Sequence, residues 1–518
     1  MSAVEAQVKH QIESTGTPLT EQVDGLRRAA NGMLDEKRRG LMGQFMTPAP
    51  VARLMATMFD DLSGDLHLLD AGAGVGSLTA AFVENACSRN RAPKSITLNA
   101  YELEPALTKQ LTQTATLCRE ACDQAGIASM GRVFQEDFIQ QATNILTRDL
   151  FSDNIEPRFN RAILNPPYRK LHSASKERKL LRKVGIETSN LYTAFVALTV
   201  KLLEDGGELV AITPRSFCNG PYFKPFRKML LSTMSLKHIH IFHSRNKAFK
   251  EDAVLQENII FHAIKNAPTD RVVISSSACA DDPKIVRHKA QPQEVVNPDD
   301  PDLVIHIVTT QEEGESALKA RSLPCSLADL GIEVSTGRVV DFRAKEHIHA
   351  EPDKDTVPLI YPGHFKNGFI MWPKLNGRKP NALGDNADTE KLLVPNGTYA
   401  LVKRFTAKEE RRRVVAAVYD PQRIEAKRVG FENHLNYFHV NGNGLPRSLA
   451  RGLVLFLNST LVDQYFRQFS GHTQVNATDL RSLRYPTLAH LKLMGNRYRK
   501  EVPDQERIDS ILNQVLVG

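Results

Sequence analysis

The chain is poor in cysteine, with six in 518 residues. That is too few for a disulfide framework, and a reduced interior is expected. Cys118 and Cys122 sit four apart on a predicted helix, but no His or Cys pair nearby completes a tetrahedral ligand set, so no metal is expected. No run approaches the roughly 18 apolar residues of a membrane span. The first residues, MSAVEAQVKHQIES, lack the apolar centre of a signal peptide. No internal repeat and no low-complexity tract is present. These absences point to a reduced, soluble, cytoplasmic protein.

What is there is ordinary for a globular chain: 42% hydrophobic and 24% charged residues. A core can be buried. The net charge of +8 suits a polyanionic partner without proving one. The length suggests about two to four domains.

From about residue 60 to 265, short apolar strands alternate with helices, which is the pattern of a doubly wound α/β sheet. Residues 66–69 form a strand that runs into Asp70-Ala71-Gly72-Ala73-Gly74-Val75-Gly76, and a helix follows. Glycines there let the chain turn sharply and a ligand approach closely. Strand, glycine loop and helix in this order suit a nucleotide-type loop; a plain tight turn is the alternative. The next strand ends at Glu102, where a carboxylate can accept both ribose hydroxyls of a nucleoside. A third strand leads to Asp137-Phe138, able to offer a carboxylate to an adenine amine and an apolar face to its ring. The fourth, 161–164, runs into Asn165-Pro166-Pro167-Tyr168. Paired prolines stop the strand and stiffen it. An amide, a proline carbonyl and a phenol are left at its end. Alone, that is equally a strand-ending turn or a grip for a flat, hydrogen-bonding ligand. Ligands of doubly wound sheets bind beyond the carboxyl ends of the strands. The glycine loop, Glu102, Asp137 and Asn165 all lie at those ends.

Basic runs follow: Arg169-Lys170 with Lys176 to Lys179, and later Lys403-Arg404 with Arg411-Arg412-Arg413 on a predicted hairpin. Each is a solvated face or a phosphate contact. The cluster Lys37-Arg38-Arg39 reads as a solvated helix end. Residues 266–330 lose periodicity and gain Pro, Asp and Ser, and read as a connector with some strand content. From about 331, short strands and turns dominate, with one helix predicted over 453–469.

Together, GQFMTP at 43–48, DAGAGVG at 70–76, Glu102, Asp137-Phe138 and NPPY at 165–168 resemble the gamma class of DNA adenine-N6 methyltransferases of type II restriction–modification systems. The resemblance covers residues 43–265 as the catalytic half and extends into the C-terminal part, through YPGHFKNG and HTQVNATDLRSLRYP. It implies four segments: helical 1–42, a catalytic domain at 43–265, a connector at 266–330 and a DNA target-recognition domain at 331–518. The catalytic domain would be a Rossmann-like, mostly parallel sheet, and the recognition domain mixed α+β.

By this resemblance Phe45, Thr47 and Pro48 border the methionine part of S-adenosylmethionine. Asp70, Gly72 and Gly74 form the loop around it, Glu102 binds the ribose, and Asp137 with Phe138 binds the adenine. Asn165, Pro166 and Tyr168 hold a flipped target adenine. Arg169, Lys170, Lys403, Arg404 and Arg411 to Arg413 would meet double-stranded DNA. The family's later motif falls at Leu255-Gln256-Glu257-Asn258, where no aromatic is evident; Phe249 is a candidate. A cognate restriction endonuclease would be a separate chain, since about 40 residues before the first motif are too few for a nuclease domain. A protein-glutamine or RNA methyltransferase and a non-catalytic DNA-binding specificity subunit remain as alternatives.

Overall fold

A computed structural model describes residues 16–33, 45–148, 159–242, 257–374, 377–406, 410–469, 474–498 and 501–517. The cluster at 37–39, Gly43-Gln44, Phe249 and Leu255-Gln256 lie outside these residues. The chain divides into two compact units, Met1–Thr309 and Thr310–Gly518. The division falls inside the stretch read as a connector.

The first unit is built on a nine-stranded sheet of order β3-β2-β1-β4-β5-β7-β6-β8-β9. The strands are β1 Gly64–Ala71, β2 Pro93–Tyr101, β3 Ala128–Phe134, β4 Phe159–Leu164, β5 Leu203–Pro214, β6 Met234–Phe242, β7 Asn258–Lys265, β8 Val272–Ser277 and β9 Val286–Ala290. β1 to β5 run parallel, and β7 is antiparallel to both β5 and β6. Helices α1 Leu19–Met33, α2 Ala49–Ala56, α3 Ser77–Ser88, α4 Pro105–Gln124, α5 Phe138–Arg148, α6 Lys176–Lys183, α7 Leu191–Leu202 and α8 Lys224–Thr233 belong to this unit.

The inner strands feed two cores by the period-two alternation of a pleated sheet. Leu69, Ala162, Leu209 and Ala211 join α7 in one cluster. Leu68, Ile163, Val210 and Ile212 join α2 and α3 in the other. Burial on both faces is why these strands read as continuous apolar runs. α7 is buried at eleven of its twelve residues, in keeping with its few polar residues.

The sheet does not stop at the strand ending near residue 264. β8 pairs with β6 in parallel and β9 closes that edge. The run Ser275-Ser276-Ser277 reads as loop chemistry, yet all three are buried. Ser275 Oγ lies 2.7 Å from both His238 Nε2 and His240 Nδ1, and Ser277 Oγ lies 3.1 Å from His240 Nε2. Histidines on β6 thus satisfy hydroxyls that a propensity argument assigns to a turn. Among the described residues no helix is long and apolar enough to cross a membrane.

The second unit is mixed α+β, with a six-stranded and a five-stranded sheet. The helix expected over 453–469 is two, Arg447–Leu457 and Thr460–Phe469. Asn458, at the break, turns its amide to the backbone of Ala416: Nδ2 donates to its carbonyl at 2.9 Å, and Oδ1 accepts from its N–H at 3.1 Å. The helix yields to a strand that needs those partners.

Arg447–Leu457 crosses Leu488–Asn496 at glycines. A Cβ on Gly452 would sit 1.8 Å from the Leu491 carbonyl oxygen. The obstacle is backbone, so the helices must separate. Gly452→Ala is expected to destabilise the second unit by about 1–3 kcal/mol. Calorimetric melting of the variant beside the parent checks this; an unchanged transition would refute the close crossing.

Candidate active site

An open cleft lies at the carboxyl ends of β1, β2 and β4. Phe45, Thr47, Gly72, Gly74, Glu102, Asp137, Phe138 and Asn165 line it, eight residues drawn from five separate motifs. Pro48, Asp70, Pro166 and Tyr168 are not among the lining residues.

The glycine loop takes its shape from the second strand. Gly72, Gly74 and Gly76 have φ of 76°, 59° and 86°, a region that side-chain-bearing residues rarely adopt. The N–H groups of Gly72 and Ala73 both donate to the Tyr101 carbonyl at 2.9 Å. Glu102 Oε2 accepts from Gly74 N at 2.9 Å, while Oε1 accepts from Leu103 N and Glu104 N at 2.9 and 2.8 Å. The acidic strand end thus holds the loop as well as facing the cleft. Burial pushes the Glu102 carboxyl above its ordinary range, against the pull of these three donors.

Asp70 lies behind the loop. It is fully buried. Oδ2 accepts from Thr79 Oγ1 at 2.7 Å, and Oδ1 has no partner among the described residues. Burial, with the Glu102 charge adding to it, pushes this carboxyl up to about 7. A carboxyl raised on folding favours the folded state fully at low pH, and that contribution falls as pH rises toward 7. Asp70→Asn is therefore expected to flatten the loss of stability on the alkaline side. The difference between parent and variant should change by ~2–3 kcal/mol between pH 5 and pH 8. Urea midpoints at the two pH values measure it; parallel profiles would refute the buried acid.

Asp137 caps α5, its Oδ1 accepting from Ile139 N at 2.9 Å and Gln140 N at 3.4 Å. The Phe138 ring meets Tyr101 edge-on at 5.5 Å and Phe195 at 5.1 Å. Tyr101, Phe138 and Phe195 give the cleft an aromatic wall. Of these, Tyr101 and Phe195 escaped sequence reading, because aromatics at a strand end and on a buried helix look like core.

Asn165 is fixed by the segment at 45–48. Its Nδ2 donates to the Phe45 carbonyl at 2.7 Å and to Thr47 Oγ1 at 2.9 Å. Tyr168 Oη lies 3.0 Å from Asn165 Oδ1 and 3.3 Å from the Ile212 carbonyl. With the amide's NH2 face occupied by two acceptors, the carbonyl oxygen is the atom presented elsewhere. It has two acceptor sites, and the tyrosine can fill only one.

Arg169, expected as a DNA contact, lines the cleft and pairs with Glu177 of α6 at 3.3 Å. Lys170 is exposed. In the second unit the hairpin is present: Tyr399–Lys403 pairs with Ala416–Tyr419. Lys403 Nζ lies 5.6 Å over the Phe365 ring, Arg404 is half-buried, and Arg411 is exposed. Arg412 donates to Gln505 Oε1 at 2.7 Å. Arg413 requires correction. Its side chain is 2% exposed and donates to Thr406 Oγ1 at 2.6 Å, while its N–H donates to Asp463 Oδ1 at 2.6 Å. It holds the hairpin base and presents no cation to a phosphate.

Asp60, Glu208 and His262 bring possible ligand atoms within 4.8 Å, away from the cleft lining. Glu208 is already engaged by His262 Nε2 at 2.9 Å and Arg161 Nη2 at 3.3 Å.

A largely parallel sheet in which β7 and β9 are reversed, with a cleft at its carboxyl ends, has the fold of an α/β methyltransferase. The DNA-bound type IIL restriction–modification enzyme MmeI shares the fold, with a TM-score of 0.52 and 13% identity over 99% of this chain and 74% of that one. The Eco57I restriction-modification methylase model matches residues 94–249. The type II methyltransferase M.PstI of Providencia stuartii is 52% identical over 495 residues, covering 95% of this chain and 96% of its own. M.BsuBI of Bacillus subtilis is 45% identical over 508 residues, covering 97% and 99%. The chain belongs to the type II DNA methyltransferases of restriction–modification systems.

Proposed function

We propose that this methyltransferase modifies the exocyclic N6 of adenine in duplex DNA, at a specific sequence, and so protects the DNA from a separate cognate endonuclease. The observation that carries the reading is the fixed amide of Asn165. With Nδ2 tied to Phe45 and Thr47, Oδ1 keeps, beside the Tyr168 hydroxyl, one acceptor site for a hydrogen of an amine. An exocyclic adenine amine is a poor nucleophile because its lone pair is delocalised into the ring. The Asn165 oxygen and the Pro166 carbonyl would each accept one of its hydrogens, favouring a pyramidal nitrogen. Positioning then contributes more than a strong base. The base must leave the stack to reach the cleft, at a cost of a few kcal/mol.

S-adenosylmethionine fits the cleft by its chemistry: it would supply the methyl group on a sulfonium. Glu102 and Asp137 suit the ribose and adenine, and Phe138 gives the ring an apolar wall. With β8 and β9 inside the first sheet, the unit Met1–Thr309 is read as the catalytic part and Thr310–Gly518 as the DNA-recognition part.

Transfer of label from S-adenosylmethionine to duplex DNA, followed by mapping of the modified base, tests this reading. N6-methyladenine at one sequence is expected. Label on cytosine, or on RNA or protein with none on DNA, would overturn it.

A further inference from the structure

β5 ends at Pro214, beside the end of β4 that carries Asn165. The loop that follows, 215–223, is clamped at several points. Arg215 and Glu257, both buried, form an ion pair at 2.9 Å, and Arg215 N donates to the Glu257 carbonyl at 2.8 Å. Arg227 is fully buried, and its Nη1 donates to the carbonyls of Phe217 and Gly220 at 2.9 and 2.8 Å. Its Nε and Nη2 reach the Asp302 carbonyl. Burying a guanidinium against neutral carbonyls is unfavourable unless the arrangement is well satisfied, so the shape of this loop is strongly specified.

The clamped loop turns two neighbouring aromatics in opposite directions. Phe223 packs inward on Tyr192 at 5.8 Å, and Tyr192 meets Tyr168 edge-on at 6.1 Å. Tyr192 Oη also lies 3.1 Å from Ser216 Oγ. The loop is thereby joined to the tyrosine that bonds Asn165. Tyr222 points outward and is 81% exposed, the most exposed large hydrophobic side chain among the described residues. Residues 215–233 contain Arg215, Lys224, Arg227 and Lys228 and no acidic residue. Arg215 and Arg227 are held inside the clamp and Lys224 Nζ pairs with Asp302 at 2.9 Å, while Lys228 is exposed. A rigid, exposed phenol next to the reacting end of the sheet suits a partner that offers flat faces.

We propose that Tyr222 stacks on a base of the duplex beside the extrahelical adenine and supports the opened stack. This rests on the DNA reading above. The substitution sits on an exposed side chain, so the fold should survive it.

The test uses a duplex carrying the mapped site, with 2-aminopurine in place of the target adenine. Tyr222→Ala is expected to weaken DNA binding by about 5- to 150-fold, as loss of one base–aromatic stack does. It should also reduce the fluorescence gain that reports flipping. Tyr222→Phe should restore both, and S-adenosylmethionine affinity by calorimetry should not change. Parental DNA affinity and fluorescence gain in Tyr222→Ala would overturn the inference alone. Failure of the parent to methylate any DNA would overturn the functional reading, and this inference with it.

Discussion

Asn165→Ala should lower single-turnover methyl transfer by about 10³-fold or more, in line with removal of a preorganised polar group from a reacting centre. The geometry gives this substitution a second effect. The Asn165 amide pins the Phe45 carbonyl and Thr47 Oγ1, which border the same cleft. Truncation leaves both acceptors unbonded, so cofactor affinity should fall modestly while transfer collapses. Asn165→Asp separates the two roles. The aspartate keeps the size and keeps an oxygen near Tyr168. It replaces the NH2 with a second oxygen, aimed at a carbonyl and a hydroxyl oxygen. An acceptor facing the Phe45 carbonyl is repulsive, and the added charge sharpens the repulsion. Asn165→Asp is therefore expected to bind cofactor more weakly than Asn165→Ala, although it is nearly isosteric. Transfer rates with labelled cofactor, and calorimetric titration of each variant, decide the matter. Near-parental transfer in Asn165→Ala would remove the asparagine from the chemistry. Equal cofactor affinity in the two variants would remove its tie to the 45–48 segment.

The parts of the site that could be read from sequence are those whose position follows from strand ends. A glycine loop after an apolar run, an acidic residue closing the next strand, and prolines halting a fourth are local signals. The doubly wound pattern brings such signals to one edge. The cleft lining draws on Gly72, Glu102 and Asn165 accordingly. What stayed hidden depends on partners distant in sequence. Asp70 belongs to the same loop motif, but its side chain turns back to Thr79 rather than into the cleft. Arg169 reads from sequence as a DNA contact, but its place at the cleft wall goes with Glu177 of α6, eight residues on. Arg413 sits in a run of three arginines, and nothing local distinguishes it; its burial goes with its bonds to Thr406 and Asp463. The Ser-rich β8 could not be told from a turn without the histidines of β6 that bond it. In each case the deciding information is a long-range contact, which periodicity does not encode.

Glu102→Gln is expected to raise the dissociation constant for S-adenosylmethionine by about 10²-fold, with a smaller change in transfer at saturating cofactor. The carboxylate accepts three backbone N–H groups, from Gly74, Leu103 and Glu104. A charged acceptor bonded to an N–H contributes about 1.5–3 kcal/mol per bond. Glutamine keeps the shape but has one oxygen. Its NH2 must face either Gly74 N–H or the pair from Leu103 and Glu104, so donor opposes donor at a buried site. The loop at Gly72 to Gly76 holds three positive φ values and depends on that anchor. Losing it should disorganise the cleft before any sugar hydroxyl is considered. A carboxylate has about four acceptor sites, and three are taken, so a ribose hydroxyl can use what remains or displace the weakest N–H. Glu102→Asp tests the anchor from the other side. It keeps the charge but is one methylene shorter, so it cannot span from the end of β2 to Gly74 N while still meeting both following N–H groups. It should weaken cofactor binding to a comparable extent. If Glu102→Asp instead binds as the parent does, charge alone suffices and the three-donor anchor is not what shapes the site. If both variants bind normally, Glu102 is not a cofactor residue. Because neither substitution touches Asn165, the transfer rate with cofactor saturating should stay within about tenfold of the parent, a gap of 1.4 kcal/mol or less.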